Sequence, residues 1–213
     1  MSSSGTVSNV EGKADPFLEA VQIRRSIYAL TNQSTISDER IVKLIEHSIL
    51  HTPTSFNAQS NVAIVLFGEH HLKLWDIVKD VLVSKLGTEK YSKTEAKING
   101  FRGAYGTVLW FIENRQVEAQ KQKFPTYAEE FDSWAIQSIG MAQSNAWVSL
   151  EREGLGVNLQ HYGNLIGERV RKEFNVPEDW ILISQQPFGT PAAGWVAPEK
   201  QFKPIEERLR VLK

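Results

Sequence analysis

From Tyr127 to Glu153 the chain runs without a proline and with a single glycine, Gly140, and its apolar residues do not keep to one side. The small residues Ala135, Ser138, Ala142, Ala146 and Ser149 lie beside Trp134, Met141, Trp147 and Leu150. This spacing predicts one very long helix. A helix that is apolar on more than one face needs cover on more than one face, because propensity alone does not hold it in water. It is either the central helix of the monomer or a helix packed against a second copy of itself.

The other elements arrange themselves around it. Asp15 followed by Pro16 predicts a helix start with Asp15 as cap, and Phe17, Ala20, Val21 and Arg24 follow at helical spacing. Ser37 caps a second helix with the buried stripe Ile41, Leu44, Ile45 and Ile49, and Pro53 stops it. Val62 to Phe67 and Thr107 to Ile112 are apolar runs of strand length. Between them come a helix through Leu72, Trp75 and Leu82 and a charged, glycine-punctuated stretch from Thr88 to Gly106. A polar, exposed excursion is expected around Gln116 to Lys123. After the glycines at 154 and 156, Ile166, Val170 and Phe174 mark a further helix and Trp180 to Ile183 a strand. The strands are few and separated by helices, so the class is α+β.

With 213 residues, one well-cored domain suffices: residues 15–213 form it, with an apolar C-terminal arm (Ile205, Leu209, Val211) that needs a surface to lie against. Residues 1–14 read as a flexible tail without the basic start and apolar run of a secretory signal. No segment reaches membrane-spanning length. Asn32-Gln33-Ser34 therefore reads as an accidental match to a glycosylation acceptor. The net charge of -1 speaks against a general binder of nucleic acid or anionic membrane. There is no cysteine, which excludes disulfides, thiol nucleophiles and thiolate metal ligands and fits a reducing compartment.

Two polar clusters carry chemistry. Arg24-Arg25-Ser26 places two guanidinium forks and a hydroxyl at a helix end, a set suited to phosphate. Thr54-Ser55-Phe56-Asn57-Ala58-Gln59 crowds hydroxyls and amides onto a loop, where they could read the edge of a polar heterocycle. The bland alternatives are helix-end cations and turn formers. Gly154-Leu155-Gly156 lacks the third glycine of a dinucleotide fingerprint. Gly100, Gly103 and Gly106 lack the Lys-Ser/Thr ending of a phosphate loop. His47 and His51 lie one helical turn apart without a third ligand or an intervening glutamate, so they read as polar residues on a helix face and no metal is assigned. His70-His71 reads as solvated. No acid–base pair and no Ser-His-Asp set stands out. A cofactor-like site without a catalytic side chain points to a cofactor that carries the reaction.

In their order, these motifs resemble the FMN-dependent nitroreductase family, and in particular its compact fungal and bacterial branch linked to oxidative stress. Gly103 to Leu109, Gly154 to Tyr162 and Lys200 to Ile205 carry the rest of the likeness. The resemblance implies a nitroreductase-like fold with an antiparallel or mixed sheet, an intertwined homodimer and FMN at the subunit interface. It implies that Arg24 and Lys203, with Arg25, Lys200 and Arg208, neutralise the FMN phosphate, and that Ser26 holds the phosphate and ribityl end. Ser55, Asn57 and Gln59 come from the other subunit to the ring; Leu159, Gln160 and His161 lie along it; Lys97 sits near its N1 edge. Tyr28 stands where many relatives carry a basic residue. NADH or NADPH would reduce the flavin, and a nitroaromatic or quinone would reoxidise it by a ping-pong course. The protein would be cytoplasmic, nuclear access included. Flavin storage, dehalogenation and flavin destruction are the competing readings on the same scaffold.

Overall fold

Every residue of strand β2 (Gly106–Glu113) except the last is buried, which its unbroken apolar run requires of a strand covered on both faces. In the computed structural model, which describes residues 12–213, β2 lies inside a four-stranded sheet. The strand order is β1 (Asn61–Phe67), β2, β4 (Trp180–Gly189), β3 (Gly156–Val157), and each pairing is antiparallel. Alternation along β2 divides the core in two. Val108, Trp110 and Ile112 join Ile41, Ile45 and the long helix α6 (Phe131–Arg152) on one face. Leu109 and Phe111 join Leu74, Trp75, Ile98, Phe101, Ile166 and Val170 on the other.

The second face is covered by α3 (Gly68–Leu86), α4 (Thr88–Arg102) and α7 (Gly163–Phe174). Helix α2 (Asp38–His51) packs along α6 and is capped as its sequence predicts, with the Ser37 hydroxyl accepting from the Arg40 N–H at 3.3 Å. Helix α6 buries Phe131, Ala135, Ser138, Ile139, Ala142, Gln143, Ala146 and Leu150 toward the sheet. Its opposite side leaves Ile136 and Met141 exposed, with Gly140 bare between them.

Four expectations change. The charged stretch after Thr88 is the helix α4, anchored by Tyr91, Ile98 and Phe101. The excursion after Glu113 is the helix α5 (Asn114–Lys123), which buries Val117. Ala14, not Asp15, occupies the N-cap of α1 (Asp15–Ile23); the Asp15 carboxylate accepts from the Gly12 N–H at 2.7 Å. A 3-10 turn over Pro125–Glu130 precedes α6, so the long helix begins at Phe131. Strand β4 outruns its apolar start because Ser184, Gln185 and Gln186 are wholly buried and find partners there, the Gln185 side chain through its Oε1 alone. The Trp110 indole donates to Gln186 Oε1 at 2.8 Å, and Gln143 Nε2 donates to Ser184 Oγ at 2.8 Å. The expected tail lies, for residues 1–11, outside the described residues.

His71 also departs from expectation: it is 1% exposed. Its ring bridges α3 to β2 and α4 through Thr107 Oγ1 at 2.9 Å and the Arg102 carbonyl at 3.0 Å.

Candidate functional site

The end of α1 brings the first cluster to the C-terminal half of α6. The Arg24 guanidinium lies 4.6 Å over the centre of the Trp147 ring, a cation–π contact that fixes its direction. One turn further along α6, the Glu151 carboxylate accepts from the Arg25 N–H at 2.8 Å and from the Trp147 indole at 2.8 Å. The same indole is shared with the Arg25 carbonyl at 3.0 Å. Lys200, on the C-terminal arm, donates to the Gln22 carbonyl at the end of α1. Among the described residues, Arg24, Arg25 and Lys200 form no ion pair. Arg24 and Lys200 thus face one carboxylate, Arg25 is tied to it through its N–H, and the charges of both arginines act on Lys200.

Burial pushes the Glu151 carboxyl up to about 7, against the opposing pull of the Arg25 N–H, the Trp147 indole, Arg24 and Lys200. Burial also lowers the Lys200 amine, and repulsion from Arg24 and Arg25 lowers it further. Both shifts describe a positive, partly dehydrated recess. Ser26 is exposed beside it.

The Arg24 to Leu30 segment continues across β3. Ile27 N–H donates to the Val157 carbonyl at 2.8 Å, and Asn158 Nδ2 donates to the Ile27 carbonyl at 2.8 Å. A Cβ at Gly156 would stand 2.8 Å from Leu30 Cδ2 and 3.0 Å from Ile27 Cγ2, so this approach needs glycine. Leu159 and His161 follow on the same stretch; His161 is exposed and Leu159 packs on the α6-side core. Gln160 turns inward: its Nε2 donates to Asn158 Oδ1 at 2.8 Å, and its backbone N–H and carbonyl pair with Gln185 at 2.7 and 2.8 Å. Lys97 reaches the same segment from α4, 5.9 Å from the Tyr28 ring and 5.6 Å from Phe101.

Lys203 and Arg208 lie on the exposed arm beyond Lys200. Ser55, Asn57 and Gln59 stand elsewhere. Their loop holds Phe56, Asn57 and Gln59 at positive φ (53°, 54° and 52°), a costly geometry for residues with a side chain. Gln59 N–H is tied to Thr54 Oγ1 at 2.9 Å. Phe56 packs on Phe124 at 4.3 Å, Phe131 at 5.6 Å and Trp134 at 6.2 Å, near the start of α6. Trp134 and Trp147 are thirteen positions apart on one helix, roughly 20 Å at about 1.5 Å per residue. The Phe56 end of the loop therefore sits about 20 Å along α6 from Trp147, while Thr52, which leads into it, accepts from Asn145 Nδ2 at 3.0 Å. Sequence reasoning missed Glu151 and the role of Trp147, although their four-residue spacing on a helix was available as a signal. His47 and His51 stack at 4.3 Å on the exposed side of α2.

The sequence model of the nitroreductase family matches residues 21–190. The HBN1 protein of Saccharomyces cerevisiae is 38% identical over 181 residues, 83% of this chain and 89% of its own length. The nitroreductase CinD from Lactococcus lactis, solved with nicotinic acid, superposes with a TM-score of 0.85 at 37% identity over 92% of this chain and 100% of that one. CinD is also solved with chloramphenicol and with 4-nitrophenol. A Desulfovibrio desulfuricans protein solved with FMN shares the fold at 22% identity and a TM-score of 0.66, over 93% of this chain and 97% of its own. The long helix and four-stranded antiparallel sheet thus fall within one class, a nitroreductase-like α+β fold. The chain belongs to the nitroreductase family, a family of oxidoreductases.

Proposed function

We propose that the protein is an FMN-dependent NAD(P)H oxidoreductase that reduces nitroaromatic or quinone-like acceptors. The observation that carries this reading is the gathering of Arg24, Arg25 and Lys200 where the end of α1 meets α6, without ion-pair partners among the described residues. A phosphate dianion supplies the charge such a recess lacks, and guanidinium forks match its geometry. The donor set therefore fits FMN. Ser26 would hold the ribityl end, Leu159, Gln160 and His161 would line the ring, and Lys97 would supply positive charge to it. When bound, FMN supplies the two-electron shuttle between a nicotinamide and an aromatic acceptor.

The amide loop enters from a second copy of the chain. Support comes from the roughly 20 Å along α6 between Trp134, on which Phe56 of the loop packs, and Trp147 within one protomer. The uncovered apolar residues add to it: Ile136 and Met141 on α6, Phe17 and Leu18 on α1, and Phe202, Ile205 and Leu209 on the arm. In that homodimer Lys203 and Arg208 are carried to the phosphate by the arm. Phe56, Phe124 and Trp134 offer flat apolar faces next to Asn57 and Gln59. The ligands solved with CinD, a relative at 36–37% identity, are all ring compounds, which favours a planar acceptor here. Among the described residues, no helix is long and apolar enough to cross a membrane.

The test is oxidation of NADH and of NADPH by FMN-loaded protein, with 4-nitrophenol or a quinone as acceptor. Acceptor-dependent loss of nicotinamide absorbance is expected. A yellow protein that oxidises neither nicotinamide with either acceptor overturns the enzymatic reading.

A further inference from the structure

Among the described residues, Glu151 is the one carboxylate tied to this cluster of cations, and the family reading gives it no task. It is built in from every side. Arg25 presents its N–H from the segment after α1, Arg24 lies over the neighbouring Trp147, Lys200 approaches from the C-terminal arm, and the Trp147 indole comes from its own helix. No histidine and no second carboxylate is among the groups acting on it. Each of its oxygens accepts one N–H and keeps a lone pair on which a proton can sit.

This arrangement has a consequence for anion binding. With the recess open, Glu151 partly neutralises the cations that a phosphate needs. A dianion seated among the same cations adds like charge beside a partly buried carboxylate, and like charge disfavours its ionised form. We propose that Glu151 is the resident counter-ion of the phosphate recess and takes up one proton from solvent when a flavin phosphate binds. This rests on the FMN reading above and assigns Glu151 a positioning role, in which it orients Trp147 and the Arg25 backbone and adjusts the charge of the recess to its occupant.

The test is calorimetric and needs no turnover. FMN is titrated into flavin-free protein at pH 7.5 in two buffers of different ionisation enthalpy, which reads the protons taken up per flavin. A phosphate monoester, with a second pKa of about 6, is already mostly a dianion there and contributes little. With Glu151 at about 7, wild type should take up about 0.7 proton per FMN, roughly its ionised fraction at that pH. Riboflavin, which lacks the phosphate, should take up close to none. Glu151→Gln should bind FMN with close to no uptake. Wild-type affinity should fall about tenfold from pH 7 to pH 8.5, and the variant's should stay nearly level. Equal uptake in wild type and variant, or equal uptake for FMN and riboflavin, overturns the proposal while FMN binding itself stands. Absence of FMN binding by wild type removes the functional reading and this inference with it. If Glu151→Gln does not fold, the FMN–riboflavin comparison and the pH slope in wild type still decide.

Discussion

His71 supplies a quantitative prediction about stability. The Arg102 carbonyl only accepts, so His71 Nε2 carries the hydrogen and Nδ1 is the acceptor. The Trp75 indole donates to Thr107 Oγ1 at 3.1 Å, which leaves the Thr107 hydrogen for His71 Nδ1. The neutral imidazole is thus fully satisfied, and a second proton has no acceptor in a site that is 1% exposed. Burial pushes the His71 imidazole down to about 4 from the ordinary 6.5. Because the folded value is the lower one, the unfolded chain binds the proton first, so stability is full above about pH 6.5 and is lost as pH falls toward 4. The loss between pH 8 and pH 5 is about 2 kcal/mol from this group alone. His71→Gln keeps one donor and one acceptor but does not titrate. Urea unfolding of both proteins at pH 8 and pH 5 should show the wild-type advantage shrinking by about 2 kcal/mol at the lower pH. An advantage that stays constant across this range would refute the assignment of a buried neutral imidazole.

Other outcomes follow from the recess and its supports. Arg24→Ala should weaken FMN by about tenfold to a hundredfold, the loss of a charge-assisted contact of about 1.5–3 kcal/mol, and leave riboflavin affinity nearly unchanged; fluorescence titration of both ligands checks it. Gly156→Val forces side-chain atoms against Ile27 and Leu30 and should destabilise the fold by about 1–3 kcal/mol in urea unfolding while displacing the Arg24 segment and lowering FMN affinity. Thr107→Val leaves the Trp75 indole without its acceptor and His71 Nδ1 without its donor, and should lower the unfolding free energy by about 2 kcal/mol or more. Light scattering should return a dimer, and removal of residues 201–213 should shift it toward monomer.

Helices α2 and α6 and strands β1 and β2 were legible because their apolar residues repeat at the period of the element they form. Helix α4 was not. Its three anchors, Tyr91, Ile98 and Phe101, are spread among lysines and glutamates that mask the stripe. Strand β4 reads as ending at Ile183 because Ser184, Gln185 and Gln186 are polar; Gln143, Trp110, the Gln160 backbone and the Tyr162 N–H, all distant in sequence, supply their partners. His71 follows an exposed His70 and is buried only by partners more than thirty residues away. In the site, Arg24-Arg25 was legible as a cation cluster at the end of α1, and its phosphate role is the proposal above. Glu151 and Trp147 acquire meaning only when the end of α1 is laid across α6, and the outward or inward turn of Gln160 depends on Asn158 beside it.

The most direct test of the central claim is the affinity of flavin-free wild-type protein for FMN and for riboflavin, measured side by side by fluorescence quenching. If Arg24, Arg25 and Lys200 form a phosphate recess, FMN should bind at least about tenfold tighter than riboflavin, from one or more charge-assisted contacts. Equal affinities, or no binding of either flavin, would contradict it.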